Sequence, residues 1–136
     1  MMRFSVYVTV EGPAIDPEAF NSSLPLELRG EAKERHNSKH RPGGPQRFYW
    51  RSRQIECEQR PEDELVELLT ALQASLEGIS SDRSAKISTQ IVGWQAENDD
   101  ARGYYVPSEL VQLLAYLHAD LDIDVVHDLQ GKPGVE

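Results

Sequence analysis

Two stretches of this chain carry residue types dense enough to do chemistry, and their charges are opposite. Arg47-Phe48-Tyr49-Trp50-Arg51-Ser52-Arg53-Gln54-Ile55 packs three aromatics and three arginines into nine residues. Guanidinium forks suit carboxylate and phosphate, and an aromatic ring beside them can stack on a base. Read at period two, Phe48, Trp50, Ser52 and Gln54 point one way, while Arg47, Tyr49, Arg51, Arg53 and Ile55 point the other. Asp120-Leu121-Asp122-Ile123-Asp124-Val125 alternates as strictly and sets three carboxylates on one strand face. Like charges so placed are tolerable only in solvent or against cations. The acidic ladder is therefore the natural counterpart of the arginine ladder. If the two strands are neighbours, Arg51 and Arg53 pair with Asp122 or Asp124 and the arginines are structural, which is the expectation. If they lie apart, Arg47, Tyr49, Arg51 and Arg53 form an exposed ligand site.

The other reactive residues assemble into nothing comparable. His118 and His127 lie close in sequence to Asp120 and Asp128, but proximity along a chain is not catalytic geometry. A histidine ending a helix, as His118 does, is explained by the dipole alone. Cys57 has no flanking feature of a nucleophile. His36 and His40 stand four apart, a zinc-like spacing, yet no cysteine or further histidine lies near to complete a site. Glu97-Asn98-Asp99-Asp100 has the composition of a calcium loop without its spacing. The expectation is accordingly no catalytic residues, no metal and no cofactor.

Composition narrows the partner. The net charge of −9 opposes phosphate backbones and anionic membranes, so neither nucleic acid nor membrane is expected. That charge is unevenly placed. From Arg29 to Arg60, nine Lys/Arg meet four carboxylates, a local +5, leaving five against nineteen, or −14, elsewhere. No apolar run approaches the ~20 residues of a membrane-spanning helix, Met1 to Val6 lacks a signal-peptide pattern, and one cysteine allows no intrachain disulfide. These features fit a reducing cytoplasm.

The elements that must position the ladders follow from periodicity. Phe4, Val6, Val8 and Val10 alternate with polar residues as a first strand. Asp16-Pro17-Glu18 opens a short helix with a cap, an N1 proline and a favourable first-turn carboxylate, ending near Ser23 or Leu24. Residues 26–46 read as a long, basic, irregular loop with room for a brief helical piece around Leu28 to His36. Arg47 to Ile55 is a second strand, reaching Cys57 at most, with Trp50 and Phe48 as core under the long leucine helix that follows. Pro61 opens the best helix, with Leu65, Leu68, Leu69, Leu72 and Leu76 at helical spacing and Gly78 as its stop. Lys86 to Trp94 is a third strand, with Gly93 marking a bulge or the close approach of another backbone. A helix from Pro107 is capped by Ser108 or the residue before the proline and carries Leu110, Leu113, Leu114 and Leu117. The strand from Asp120 to Asp128 is the last. The outcome is one α+β domain over 1–129, a two-layer sandwich with an about four-stranded, mostly antiparallel sheet, helices on one face, and a flexible tail at 130–136.

The Phe-x-Val-x-Val strand, Ile15-Asp16-Pro17-Glu18, Trp50-x-Ser52, the leucine helix, and Ser108-Glu109-Leu110 followed by Leu121-Asp122-Ile123-Asp124 together resemble the bacterial domain-of-unknown-function family 4279. That resemblance implies a compact α+β domain without established enzymatic activity, and it supplies no catalytic residues to carry over. The expected function is a non-catalytic bacterial protein-binding domain, with a toxin-neutralising immunity protein as the specific form. Asp120, Asp122, Asp124, Asp99 and Asp100 would meet a basic partner, because opposed potentials steer association. The alternative is a small anionic-ligand or nucleotide-binding domain built on Arg47, Tyr49, Arg51 and Arg53.

Overall fold

The valine strand becomes the centre of the molecule. A computed structural model of the chain describes residues 2–35, 47–80, 85–96, 99 and 103–128, with the side chains of Arg35, Arg47 and Asp128 outside the description. The first strand, β1 (Arg3–Glu11), buries Phe4, Val6, Val8 and Val10 on one side. It pairs antiparallel with β5 (Lys86–Ala96) along its whole length, from Arg3↔Trp94 to Glu11↔Lys86. On its other flank it meets two short strands in succession, β3 (Arg47–Arg51) through Thr9, Val10 and Glu11, and β4 (Ile55–Cys57) through Phe4, Ser5 and Val6. The sheet is completed by β2 (Glu31–Arg35) outside β3 and by β6 (Ala119–Asp128), which runs parallel to β5. The result is a six-stranded, mixed, mostly antiparallel sheet in the order β2-β3-β1-β5-β6, with β4 also on β1. An α+β fold was expected, but with four strands; the two extra have separate causes.

β2 lies within the stretch read as loop. Glu-Ala-Lys-Glu-Arg favours a helix by propensity and has no alternating apolar face. Only its pairing with β3, from Glu31↔Arg51 to Arg35↔Arg47, makes it a strand. A short 3-10 turn at Leu26–Leu28 precedes it. β4 exists because the expected Arg47–Ile55 strand breaks at Ser52. That residue is buried, its backbone N–H donates to the Val8 carbonyl (2.8 Å), and its hydroxyl accepts from the Val8 N–H (2.8 Å). A side-chain oxygen thus stands where the ladder needs a backbone carbonyl. The strand resumes with Ile55 facing inward beside Val6, whereas unbroken alternation would have set it outward among the arginines.

Three helices pack on the apolar side. Helix α1 (Pro17–Ser23) begins as its sequence dictates, with the Asp16 carboxylate accepting from the Glu18 and Ala19 N–H groups. Helix α2 (Pro61–Ser80) buries all five leucines of its stripe and runs through Gly78, which lies exposed with open space around it. Helix α3 (Ser108–Leu117) buries Leu110 and Leu117. Its N-cap is Pro107 with no side-chain bond, so neither expected capping residue acts, and it ends at His118 in a left-handed conformation (φ 52°). The leucines of α2 and α3 join Phe4, Val6, Val8, Val10, Ile87 and Ile91 in one core, with Leu121, Ile123 and Val125 packed against it.

Two further expectations are corrected inside this core. Trp50 is fully buried, but its ring packs edge-on against Phe20 of α1 (centroids 4.9 Å apart), and Phe48 is 56% exposed. Phe48 lines an open cleft with Ile15, Pro17 and Ala32 at the start of α1 and stays outside the core. The register passes unbroken through Gly93, Phe4↔Gly93↔Val125, so there is no bulge. A Cβ at Gly93 would meet the Tyr104 hydroxyl at 2.8 Å and Phe4 Cε1 at 3.1 Å. What approaches is therefore a side chain, where a backbone was expected.

Among the described residues no helix is long and apolar enough to cross a membrane. His36, His40, Asp100 and the tail 130–136 lie outside the described residues.

Candidate binding face

With every described helix on one side of the sheet, the other side is left as a grid of side chains whose rows follow from the register. One row reads Glu31, Arg51, Thr9, Ser88, Asp120 across β2, β3, β1, β5 and β6. Next to it stand Lys33, Tyr49, Glu11 and Lys86. On the other side come Tyr7, Gln90 and Asp122; then Glu56, Ser5, Val92 and Asp124; then Arg3, Trp94 and Val126. Trp94 and Val126 are 37% and 40% exposed, and Tyr7, Tyr49, Gln90 and Val92 are half-buried. Ser5 is buried.

This grid places Tyr49 and Arg51 on the same face as the aspartates of β6 and keeps them apart. β1 and β5 stand between β3 and β6, so three strand spacings of ~4.8 Å separate Arg51 from the aspartates, about 14 Å. The expected pairing of Arg51 and Arg53 with Asp122 or Asp124 does not occur. Periodicity gives the face of each side chain but not the order of the strands, and that order decided the outcome. Arg51 instead lies over the Tyr7 ring (5.9 Å to its centroid) and faces Glu31 across the strand pair, Nη2 to Oε2 4.0 Å. Glu31 is held more closely by Lys33 (3.0 Å), and the Lys33 hydrogen bond is the main reason its carboxyl sits below the usual range. Arg53 falls in the break after Ser52, exposed and out of line with Arg51.

The acidic strand β6 is the last strand of the sheet. Asp120, Asp122 and Asp124 are all exposed on it. Asp120 has a cation at the limit of contact, Lys86 Nζ at 3.9 Å; among the described residues no Lys, Arg or His lies within ion-pair distance of Asp122 or Asp124. Asp99 is not part of this array. Its carboxylate accepts from the Ala96 N–H (2.8 Å), and its carbonyl accepts from Gln95 Nε2 (3.3 Å), so it closes the turn after β5.

Tyr7 occupies the middle of the face and responds to both edges. Burial pushes its hydroxyl above the ordinary value of 10.0; Arg51 opposes that shift, while Tyr49, Asp122 and Asp124 reinforce it. Near the opposite edge, a cleft of about 290 Å³ lies between Arg51, Arg53 and Arg29. Arg29 is largely committed there, since Nε donates to the Leu24 carbonyl (3.0 Å) and Nη2 to the Ser22 carbonyl (3.1 Å), closing the end of α1.

The residues considered for acid-base chemistry are not brought together. His118 and His127 sit at opposite ends of β6, about 30 Å apart at ~3.3 Å per strand residue. Cys57 is half-buried at the end of β4 against the core. Among the described residues, no group of three His, Cys, Asp or Glu could hold a metal ion.

Sequence reasoning missed Asn21, which organises the arginine side of the sheet. Its Oδ1 accepts from the Gly30 N–H (2.8 Å) and from Trp50 Nε1 (2.9 Å), tying α1 to the start of β2 and to β3. An asparagine in a short polar helix gives no signal of this, because both donors are remote in sequence.

The fold defines an α+β domain with three described helices on one face of a mixed sheet and, among the described residues, no helix on the other. Compared with family models, curated proteins and solved structures, the chain matches none.

Proposed function

We propose that this chain is a non-catalytic protein-binding domain that uses the sheet face no described helix covers, with the acidic strand β6 receiving a basic region of its partner. The observation carrying this reading is the pair Asp122 and Asp124, exposed on an edge strand with no cation in reach among the described residues. Beside them Val92, Trp94 and Val126 give the face an apolar patch. An apolar and aromatic centre with a charged rim is the usual anatomy of a protein interface. A toxin-neutralising immunity protein is the specific form proposed, since a carboxylate array suits the cationic cleft of a nuclease and speeds its capture.

The test is capture from the native host by the wild-type protein and by an Asp122→Lys/Asp124→Lys variant, followed by binding measurements with the purified partner. A basic protein should bind the wild type, lose at least about tenfold in affinity to the variant, and associate more slowly at high salt. A partner bound equally by both proteins removes β6 from the reading.

The second reading, a small anionic ligand at the arginine strand, draws support from the cleft beside Arg51 and Arg53. Nucleotides and phosphosugars at millimolar concentration should then raise the melting temperature, and Arg51→Gln should abolish the shift.

A further inference from the structure

We propose that in the absence of a partner the sheet face that no described helix covers is taken by a second copy of this chain, in a two-fold dimer whose axis runs along the strands between β1 and β5. This goes beyond the protein-binding reading and does not depend on who the partner is. A two-fold interface requires a patch complementary to itself. Arg51 on one flank and the aspartates of β6 on the other meet that requirement when the axis runs along the strands.

Rotation about an axis along the strands exchanges left and right while keeping each row level. β1 then stacks on the second copy's β5, and β3 on its β6. Arg51 comes opposite the second copy's Asp120 and, given the ~30° crossing of aligned sheets, Asp122. Lys86 lies opposite Glu11, because both belong to the next row. Arg3 lies over the second copy's Trp94, a favourable cation-to-ring stacking, since these residues face each other across β1 and β5. Tyr7, Ser5, Gln90 and Val92 fill the middle. One like-charge meeting remains, Glu56 with Asp124, at the rim where solvent screens it. Rotation about an axis across the strands would instead stack β6 on β6, setting Asp122 against Asp122 and Asp120 against Asp124.

The size also suits a dimer. Four strand positions at ~4.8 Å spacing face their counterparts, β2 having none opposite, and about nine residues at ~3.3 Å give a face of roughly 570 Å² before side-chain relief is counted. A standard stable interface uses about 800 Å² per partner. Edge-to-edge pairing through β6 is the competing arrangement, and it is opposed by setting the three aspartates of one copy beside those of the other.

The arrangement makes a demanding prediction for mixtures. In Arg51→Glu, each contact sets a carboxylate against the aspartates; in Asp120→Lys/Asp122→Lys, each sets lysines against Arg51. Both variants should be monomeric by light scattering at concentrations where the wild type is a dimer, with dimerisation weakened at least about tenfold. Mixed in equal amounts, they should form a heterodimer, since the carboxylate of the Arg51→Glu copy then meets the lysines of the other while the native pair persists at the second contact. Circular dichroism checks that each variant is folded. A wild type that stays monomeric at high micromolar concentration overturns the proposal. So does a wild type whose dimer survives both substitutions, or a folded pair of variants that does not combine. Partner capture by wild-type protein is a separate measurement, so a monomer that still binds a basic partner would remove the dimer and leave the protein-binding reading standing.

Discussion

Replacing Asn21 by alanine should cost this fold more than its position in a half-exposed, seven-residue helix suggests. Its single amide oxygen accepts two hydrogen bonds, from Gly30 N–H at 2.8 Å and from Trp50 Nε1 at 2.9 Å. Trp50 is fully buried, so its indole N–H would be stranded without water, a loss of about 1–3 kcal/mol. Gly30 is half-buried and water can reach its N–H, so its share falls at the lower end, about 1 kcal/mol. Together the loss is about 2–4 kcal/mol, a large part of the roughly 5–15 kcal/mol that holds a domain folded. Urea unfolding followed by circular dichroism would read it as a lower midpoint at unchanged slope. Asn21→Asp keeps an acceptor at the same place and should recover most of the loss. A double-mutant cycle with Trp50→Phe should show the two losses to be less than additive by about 1 kcal/mol, because both remove the same bond. The reasoning is refuted if Asn21→Ala costs under about 0.5 kcal/mol, or if the aspartate variant is as unstable as the alanine one.

Two glycines should respond in opposite directions. A Cβ at Gly30 would fall on the Arg51 carbonyl, a backbone atom that cannot turn aside, so Gly30→Ala should cost about 3 kcal/mol or more and loosen β2 first, readable by hydrogen exchange at residues 31–35. Gly78 is in α2 with nothing within 4 Å of its Cβ position, so Gly78→Ala should raise stability by up to about 1 kcal/mol. The Tyr7 hydroxyl, raised above 10.0 in the folded protein, contributes stability that is whole below pH 10 and lost as pH rises through the folded value. Unfolding midpoints across the alkaline range should therefore fall less steeply in Tyr7→Phe than in the wild type.

The periodic elements were legible because their causes are local. The valine alternation of β1, the Asp16-Pro17 helix start, the α2 leucine stripe and the Leu-Asp-Ile-Asp alternation of β6 each state which face is apolar, and each buries that face. The outward placement of Asp120, Asp122 and Asp124 followed from the same rule. Where a local rule competed with a remote partner, the remote partner won. Glu31–Arg35 is a strand only because β3 lies beside it, and the arginine strand breaks because the Ser52 hydroxyl finds Val8 N–H.

What the sequence by itself determined is which residues share a face: Tyr49 and Arg51 on one strand, the aspartates on another, all pointing away from the leucines. What only the tertiary structure decided is the distance between them. Strand order depends on which long-range pairings bury the most apolar surface, and β1, apolar along its whole inner side, takes the centre and holds β3 and β6 apart. Side-chain alternation carries no term for that order. Arg51 and the aspartates of β6, complementary by charge, are thereby kept from neutralising each other within one chain and remain on a common face.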